Sequence, residues 1–322
     1  MARIITGDRM VDSVRKRTMC PDDTSIFTDV DILDILDEEM NVQVLDKLVR
    51  LHGENLTISV DIPRNASGSY SIPNRALGNK LRDVSLVNGN TIYEMSQISI
   101  GELPDYSNYS EPYTQLDLFY IENNKIKLVT ATRSYDSIRM RYYLRPNFLT
   151  KVEEAGIVNS ITTNTVAGTI TLSMSQIGKN FTDSDKYDII GKETPNKIKS
   201  MDLTAVSLTT GGTGNIVFNI ADIGEYLDDI EVGDYISLAG ETPVPNIPTE
   251  MHPLLAQAAA IQLLEALGDT EALQNAIARM DKMVTAVQTL IDARVELAPK
   301  KIKPRNGTLS QVGFGRTKRR GR

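Results

Sequence analysis

The residues best placed to do chemistry lie at the end of the chain. Leu297 to Arg322 carries nine Lys/Arg and no Asp or Glu, so this stretch sums to +9 while everything before it sums to −16. Cations at that density bind oxyanions, either the phosphates of a nucleic acid or the carboxylates of an acidic surface. The stretch has too few apolar groups to offset the entropy of ordering it, so a partner must supply its order. The bland alternative is a solvated basic end with no partner. Arg316, Lys318, Arg319, Arg320 and Arg322 form the cluster that nucleic acid ordinarily recognises. Two features favour a protein groove instead: the acidic body repels a phosphate backbone, and Ile302, Leu309, Val312 and Phe314 are spaced apolar anchors.

Other chemistry is thinly represented. His52 lies at a predicted helix end and His252 just before a helix-starting proline, and neither has a second metal ligand at suitable spacing. Gly178-Lys179 and Gly191-Lys192 lack the upstream glycine and the following Ser/Thr of a phosphate loop, and no nucleophile elbow occurs. The acidic run Asp29, Asp31, Asp34, Asp37, Glu38, Glu39 could be read as a metal site, but carboxylates also favour the positive end of a helix dipole. Cys20 is the only cysteine, which excludes an internal disulfide and a thiolate zinc cluster, and is expected to be an inert thiol. The Asn-x-Ser/Thr triplets at Asn55, Asn65, Asn108, Asn180 and Asn306 are expected as chance matches in a chain rich in these residues. The expectation is therefore no catalytic residues, no metal, no cofactor and no enzymatic activity.

The elements that must carry the arm are legible from periodicity. With 322 residues, 41% apolar and 24% charged, the chain has ample material for a core. No apolar run is long enough to span a membrane, and the N-terminus lacks the apolar stretch of a secretion signal, so synthesis in the cytoplasm is expected. Arg9 to Arg17 reads as a short helix. Thr28 and Asp31 resemble a capping box, and Leu33, Leu36, Met40, Val44, Leu48 and Leu51 then recur at steps of three and four. This predicts one helix of about 24 residues, stopped at His52-Gly53 by a left-handed glycine. Short strands are expected at Thr57–Ile62, Ile92–Ile98, Gln115–Glu122, Lys125–Ala131 and Ile138–Leu144, with a hairpin turn at Glu122-Asn123-Asn124-Lys125. A second group follows at Ile157–Thr163, Thr169–Met174, Tyr187–Ile190, Met201–Ser207, Asn215–Ile220 and Asp234–Leu238, with turns at runs such as Gly211 to Gly214. Pro253 opens a buried helix and Gly268 ends it. A second helix from Asp269 then carries a seam of Leu273, Ile277, Met280, Val284, Val287 and Ile291.

The predicted fold class is α+β: an antiparallel helical bundle built from N- and C-terminal helices, with a β-rich barrel or sandwich insertion and an extended basic C-terminal arm. The expected divisions are an arm and first bundle helix at 1–55, a β-rich connecting region at 56–150, the β insertion at 151–248, a helical hairpin at 249–297 and the basic arm at 298–322.

Three stretches, in order, resemble the head-to-tail adaptor (connector or neck ring) proteins of tailed bacteriophages. The first is Tyr70 to Val84, a Tyr-x-Ile-Pro-x-Arg-Ala pattern leading into Leu-Arg-Asp-Val; the second is Ile138 to Pro146, a strand running into a proline. The third is Val232 to Leu255, followed by the helical hairpin and the basic tail. The resemblance implies a structural virion protein of the neck, made in the host cytoplasm, that docks under the portal protein and contacts a tail or further neck-ring protein. It also implies a homo-oligomeric ring of twelve copies, through which DNA passes without specific binding and without a membrane partner. Portal or partner contact then falls on Lys300, Lys301, Lys303, Arg305, Leu309, Phe314, Arg316, Lys318, Arg319, Arg320 and Arg322. An acidic body suits a lumen that repels phosphates. The second expectation, from another class, is a nucleic-acid-binding protein using the same arm. A lyase or hydrolase built on the β region is a third, and it needs a cleft with perturbed carboxylates.

Overall fold

Apolar residues at helical spacing are what bring helices from early and late in the sequence into one core. The computed structural model describes residues 5–20, 26–102, 117–130, 134–193, 197–209 and 213–291, and within them the chain is mixed α and β. Helix α1 (Gly7–Thr18) buries Met10, Val11 and Val14 on one face. Helix α2 (Asp29–Glu39) opens on the predicted capping box: the Asp31 N–H donates to Thr28 Oγ1 at 3.2 Å and the Thr28 N–H to Asp31 Oδ2 at 2.7 Å. A π turn (Met40–Val44) and α3 (Leu45–His52) continue the same run. The widened turn keeps Leu36, Met40, Val44 and Leu48 all buried.

The end of that run differs from expectation. Gly53 has φ −54°, right-handed, and the chain tightens into a 3-10 turn (Gly53–Leu56) in place of a left-handed stop. Glycine serves here for space, since a Cβ would stand 2.8 Å from Cε1 of Tyr143.

The strands are β1 (Thr57–Pro63), β2 (Ser69–Ser71), β3 (Ala76–Asn88), β4 (Thr91–Glu94), β5 (Ser96–Gln97), β6 (Leu118–Glu122), β7 (Lys125–Thr130), β8 (Ser137–Leu144) and β9 (Phe148–Leu149). They form two four-stranded sheets, β1-β8-β3-β4 and β2-β7-β6-β5, that share a core containing Tyr70, Ile126, Ile138 and Met140. The β6–β7 hairpin turns at Asn123 and Asn124, whose φ values of 48° and 59° fit the predicted two-residue turn. β2 and β3 were not anticipated. The first half of β3 is exposed and carries Gly78 and Asn79 at positive φ in a bulge, which hides the alternation that marks a strand. The strand expected over Ile92–Ile98 is broken at Met95, whose N–H turns to the Val84 carbonyl. Gln115, Leu116, Ala131, Gly211 and Gly212 lie outside the described residues.

The second strand group is β10 (Gly156–Asn164), β11 (Thr169–Gln176), β12 (Lys186–Ile190), β13 (Ile198–Thr204), β14 (Ser207–Thr209) and β15 (Asn215–Asn219). A one-turn helix α4 (Ile220–Ile223), then β16 (Tyr235–Leu238) and β17 (Glu241–Thr242), complete it. Seven of these strands make one sheet in the order β13-β12-β16-β10-β11-β15-β14. Its two edge strands are joined by only Ala205 and Val206, so the sheet has to curl until its edges approach. Residues from across its width, including Leu172, Tyr187, Leu203 and Phe218, accordingly share one core. The expected single strand Met201–Ser207 is therefore two strands, broken where the sheet closes on itself. β17 pairs in parallel with β9 and ties the two strand groups together.

Helix α5 (His252–Leu267) has Pro253 as its second residue, one place later than expected, and ends at Gly268 with φ 74°. Alanines 256, 258, 259 and 260 are all buried, which allows α1, α2 and the next helix to approach α5 closely. That next helix is α6 (Thr270–Ile291), with Asp269 Oδ1 accepting from the Ala272 N–H at 3.0 Å. Its seam shifts from the prediction: Ile277 is 45% exposed and Ala276 is buried in its place, beside Met280 and Val287. The side chain of Ile291 is not among those described. α1, α2, α3, α5 and α6 thus contribute to a common apolar core.

Candidate functional site

The eleven arm residues expected to bind a partner, from Lys300 to Arg322, lie outside the described residues. The chain divides into one compact unit, Met1–Asp292, and a second, Ala293–Arg322, to which all of them belong. Within the first unit, polar junctions at Asp188 and Asp37 and a cavity beside α1 gather charged side chains.

The first junction is centred on Asp188. β12 reads Lys-Tyr-Asp-Ile-Ile, with an exposed Lys186 at its start and Asp188 among buried neighbours, and the Asp188 carboxylate is wholly buried. A buried charge persists only when paired and hydrogen-bonded. Arg75 meets it with two prongs, Nη1 to Oδ2 at 2.8 Å and Nη2 to Oδ1 at 2.9 Å. Asn147 Nδ2 donates at 2.7 Å, and the N–H groups of Asp202 and Gly240 donate at 3.0 Å each. Arg75 also reaches Asn147 Oδ1 and Asp202 Oδ1, both at 2.9 Å. Burial pulls the Arg75 guanidinium down, but the hydrogen bonds and charge of Asp188, with those of Asp202, hold it above its ordinary value. Every lone pair of this carboxylate is engaged, so the junction acts as a clamp and offers no free acid or base.

Part of this clamp comes from the segments singled out in the sequence. Arg75 belongs to the Tyr70–Val84 stretch and Asn147 directly follows Pro146. Gly240 and Glu241, whose carbonyl accepts from Asn147 Nδ2 at 3.0 Å, belong to Val232–Leu255. Asp188 itself was missed, although a lone carboxylate in an apolar strand signals a buried partner.

The second junction is Asp37 on α2, 7% exposed, whose two oxygens both lie 3.0 Å from the Leu149 N–H donor on β9. Burial, and secondly the nearby charge of Asp34, push this carboxyl up to about 7, against the pull of the Leu149 N–H. Another acidic residue of the same helix is fully committed: Asp29 accepts from Arg15 at 2.8 Å and from Lys151 at 3.0 Å. These pairs hold the Asp29 carboxyl below the usual range, with Arg15 the larger influence. Asp29 and Asp31 thus sit in the first turn of α2, where the helix dipole favours carboxylates. Among the described residues no group of three or more His, Cys, Asp or Glu could hold a metal ion.

The cavity, about 290 Å³, opens between α1 and the start of α5 and is lined by Arg9, Met10, Lys16, Arg17, His252 and Pro253 among others. His252 is 1% exposed, its Nε2–H facing the Ile247 carbonyl at 3.2 Å, and burial holds its pKa below the ordinary value. His52 has no described side chain. Cys20 is a buried free thiol. No described helix is long and apolar enough to cross a membrane. No protein-family model matches the chain, and no curated protein is significantly similar to it.

Proposed function

We propose that this chain is a structural virion protein: a head-to-tail adaptor of the neck, which docks under a portal ring, connects it to the tail or a further neck ring, and surrounds the DNA exit channel. The observation that carries this reading is the separation of charge, a −16 body followed by a +9 arm. An arm of that composition gains order only on a partner, and twelve such arms engaging a neighbouring ring turn weak single contacts into a durable joint. The acidic body lets DNA pass without adhesion.

The architecture supports the same reading. Among the described residues, helices from early and late in the sequence share one apolar core and the strands between them form separate sheets, as such an adaptor would need. Arg75 of the first stretch and Gly240 of the third meet at Asp188, and Asn147, the residue after the second stretch, joins them. The portal-binding set is the arm's Lys, Arg, Leu309 and Phe314.

The test is the mass of the purified protein with and without purified portal, comparing full length with a truncation after Glu296. Full length should join the portal as a ring of about twelve copies, by the resemblance, while the truncation stays folded and unattached. Normal attachment of the truncation would remove the arm from the mechanism. A protein that ignores portal yet shifts DNA at low salt would establish the nucleic-acid-binding alternative.

A further inference from the structure

We infer that the cavity between α1 and α5 is one half of a head-to-tail interface between copies of this chain, and that the outward face of α2 on the next copy fills it. The inference deepens the ring reading and rests on it for the premise that copies meet head to tail.

The cavity wall is net positive, with Arg9, Lys16 and Arg17 set against Asp12. Arg17 is half-buried, and its hydrogen bonds run to Ser13 Oγ and Gln257 Oε1, both neutral. Burial first, and then the charge of Arg279, push its guanidinium below the ordinary value. A cation that has lost water, gained only neutral partners and faces a like charge lacks a counter-ion. Lys16 adds a second exposed cation at the rim, and neither it nor Arg17 forms an ion pair with a described residue. Met10 and Pro253 make the remaining wall partly apolar. The matching group is therefore a carboxylate flanked by apolar side chains.

Helix α2 presents that combination. On α2 and the π turn, Val30, Asp34, Glu38 and Val42 recur at steps of four, so they share one face. Val30 is 57% and Val42 64% exposed, while Asp34 and Glu38 are exposed between them. Asp34 forms no ion pair with a described residue, and Glu38 is touched only by Gln262 Nε2, at 3.2 Å. Acidic–apolar on one face and basic–apolar in the cavity are complementary, and because they are different surfaces the contact is heterologous.

The experiment is sedimentation of full-length protein at low salt, in the absence of portal. Wild type should self-associate, more weakly as salt rises. K16E/R17E and D34K/E38K should each weaken association by about tenfold or more, as expected for close interfacial charges. In a mixture of these two variants the native face of one meets the native cavity of the other, and the two reversed surfaces also match, so the mixture should associate again with the copies alternating. The chain carrying all four changes should associate again. Should R17E disturb folding by losing Gln257, K16E/R279E tests the same face with that bond intact. The inference is overturned if wild type stays monomeric at low salt, if the folded variants associate as wild type does, or if the mixture associates no better than either variant alone. Failure here with normal portal attachment would leave the adaptor reading standing, whereas loss of both would remove it.

Discussion

Arg75 and Asp188, 113 residues apart, grip each other through two parallel hydrogen bonds of 2.8 and 2.9 Å, and Asp188 has no exposed surface. The pair joins the loop ahead of β3 to β12, one strand in from the edge of the seven-stranded sheet. Its energetic consequence is asymmetric, because losing one partner leaves the other charge buried.

Arg75→Ala should therefore destabilise the protein by about 3–5 kcal/mol, the range for a broken buried pair. Arg75→Lys should recover only part of this, since an ammonium cannot reproduce the two-pronged geometry. Urea unfolding of the purified variants measures both. A loss below about 1 kcal/mol, the size of a surface pair, would mean that the clamp contributes little.

Asp37 makes stability depend on pH in the unusual direction for a carboxyl. Its folded pKa of about 7 lies above the unfolded value, so the folded state holds the proton more tightly. The contribution is fully present below about pH 4, falls as pH rises, and is exhausted above about 7, the total drop being at most about 4 kcal/mol. Asp37→Asn keeps an oxygen for the Leu149 N–H and has no charge to bury. It should match wild type near pH 4.5 and be the more stable protein at pH 8, as read from urea midpoints across that range. A variant weaker than wild type at pH 8 would contradict this account.

Gly7 opens α1 with its N–H donating to the Pro243 carbonyl at 2.7 Å, and a Cβ there would stand 2.6 Å from the backbone oxygen of Thr150. Alanine favours a helix by about 1 kcal/mol, yet a collision with rigid backbone costs about 1–3 kcal/mol. Gly7→Ala should lower the melting temperature despite the better helix former. A rise would show that the contact between α1 and the β9 segment is loose.

Salt should separate the two readings of the arm. Contacts dominated by phosphate release counter-ions, so nucleic-acid binding should collapse by orders of magnitude between about 50 and 200 mM salt. A joint to portal anchored by Leu309 and Phe314 should survive that range, and Leu309→Ala with Phe314→Ala should weaken it more than any single Lys→Ala change. Equal salt sensitivity of the two would count against apolar anchoring.

The sequence by itself determined the helices and the distribution of charge. Thr28, Pro253 and Gly268 mark helix ends by local rules, and a period of three to four along α2, α3, α5 and α6 names the buried face within a residue or two, because cap and periodicity act over single turns. The sign of the arm needs no fold at all. Tertiary structure alone decided what acts across distance. Ala276 replaces Ile277 in the seam because the small side chain lets α6 lie close to α5, which exposes its larger neighbour. β3 is a strand because β8 and β4 pair with it, although its bulged first half lacks alternation. Asp188 is a clamp, and no solvated charge, because Arg75, Asn147 and Gly240 converge on it from three remote segments. Such convergence depends on how strands are paired and sheets closed, and no local spacing encodes that.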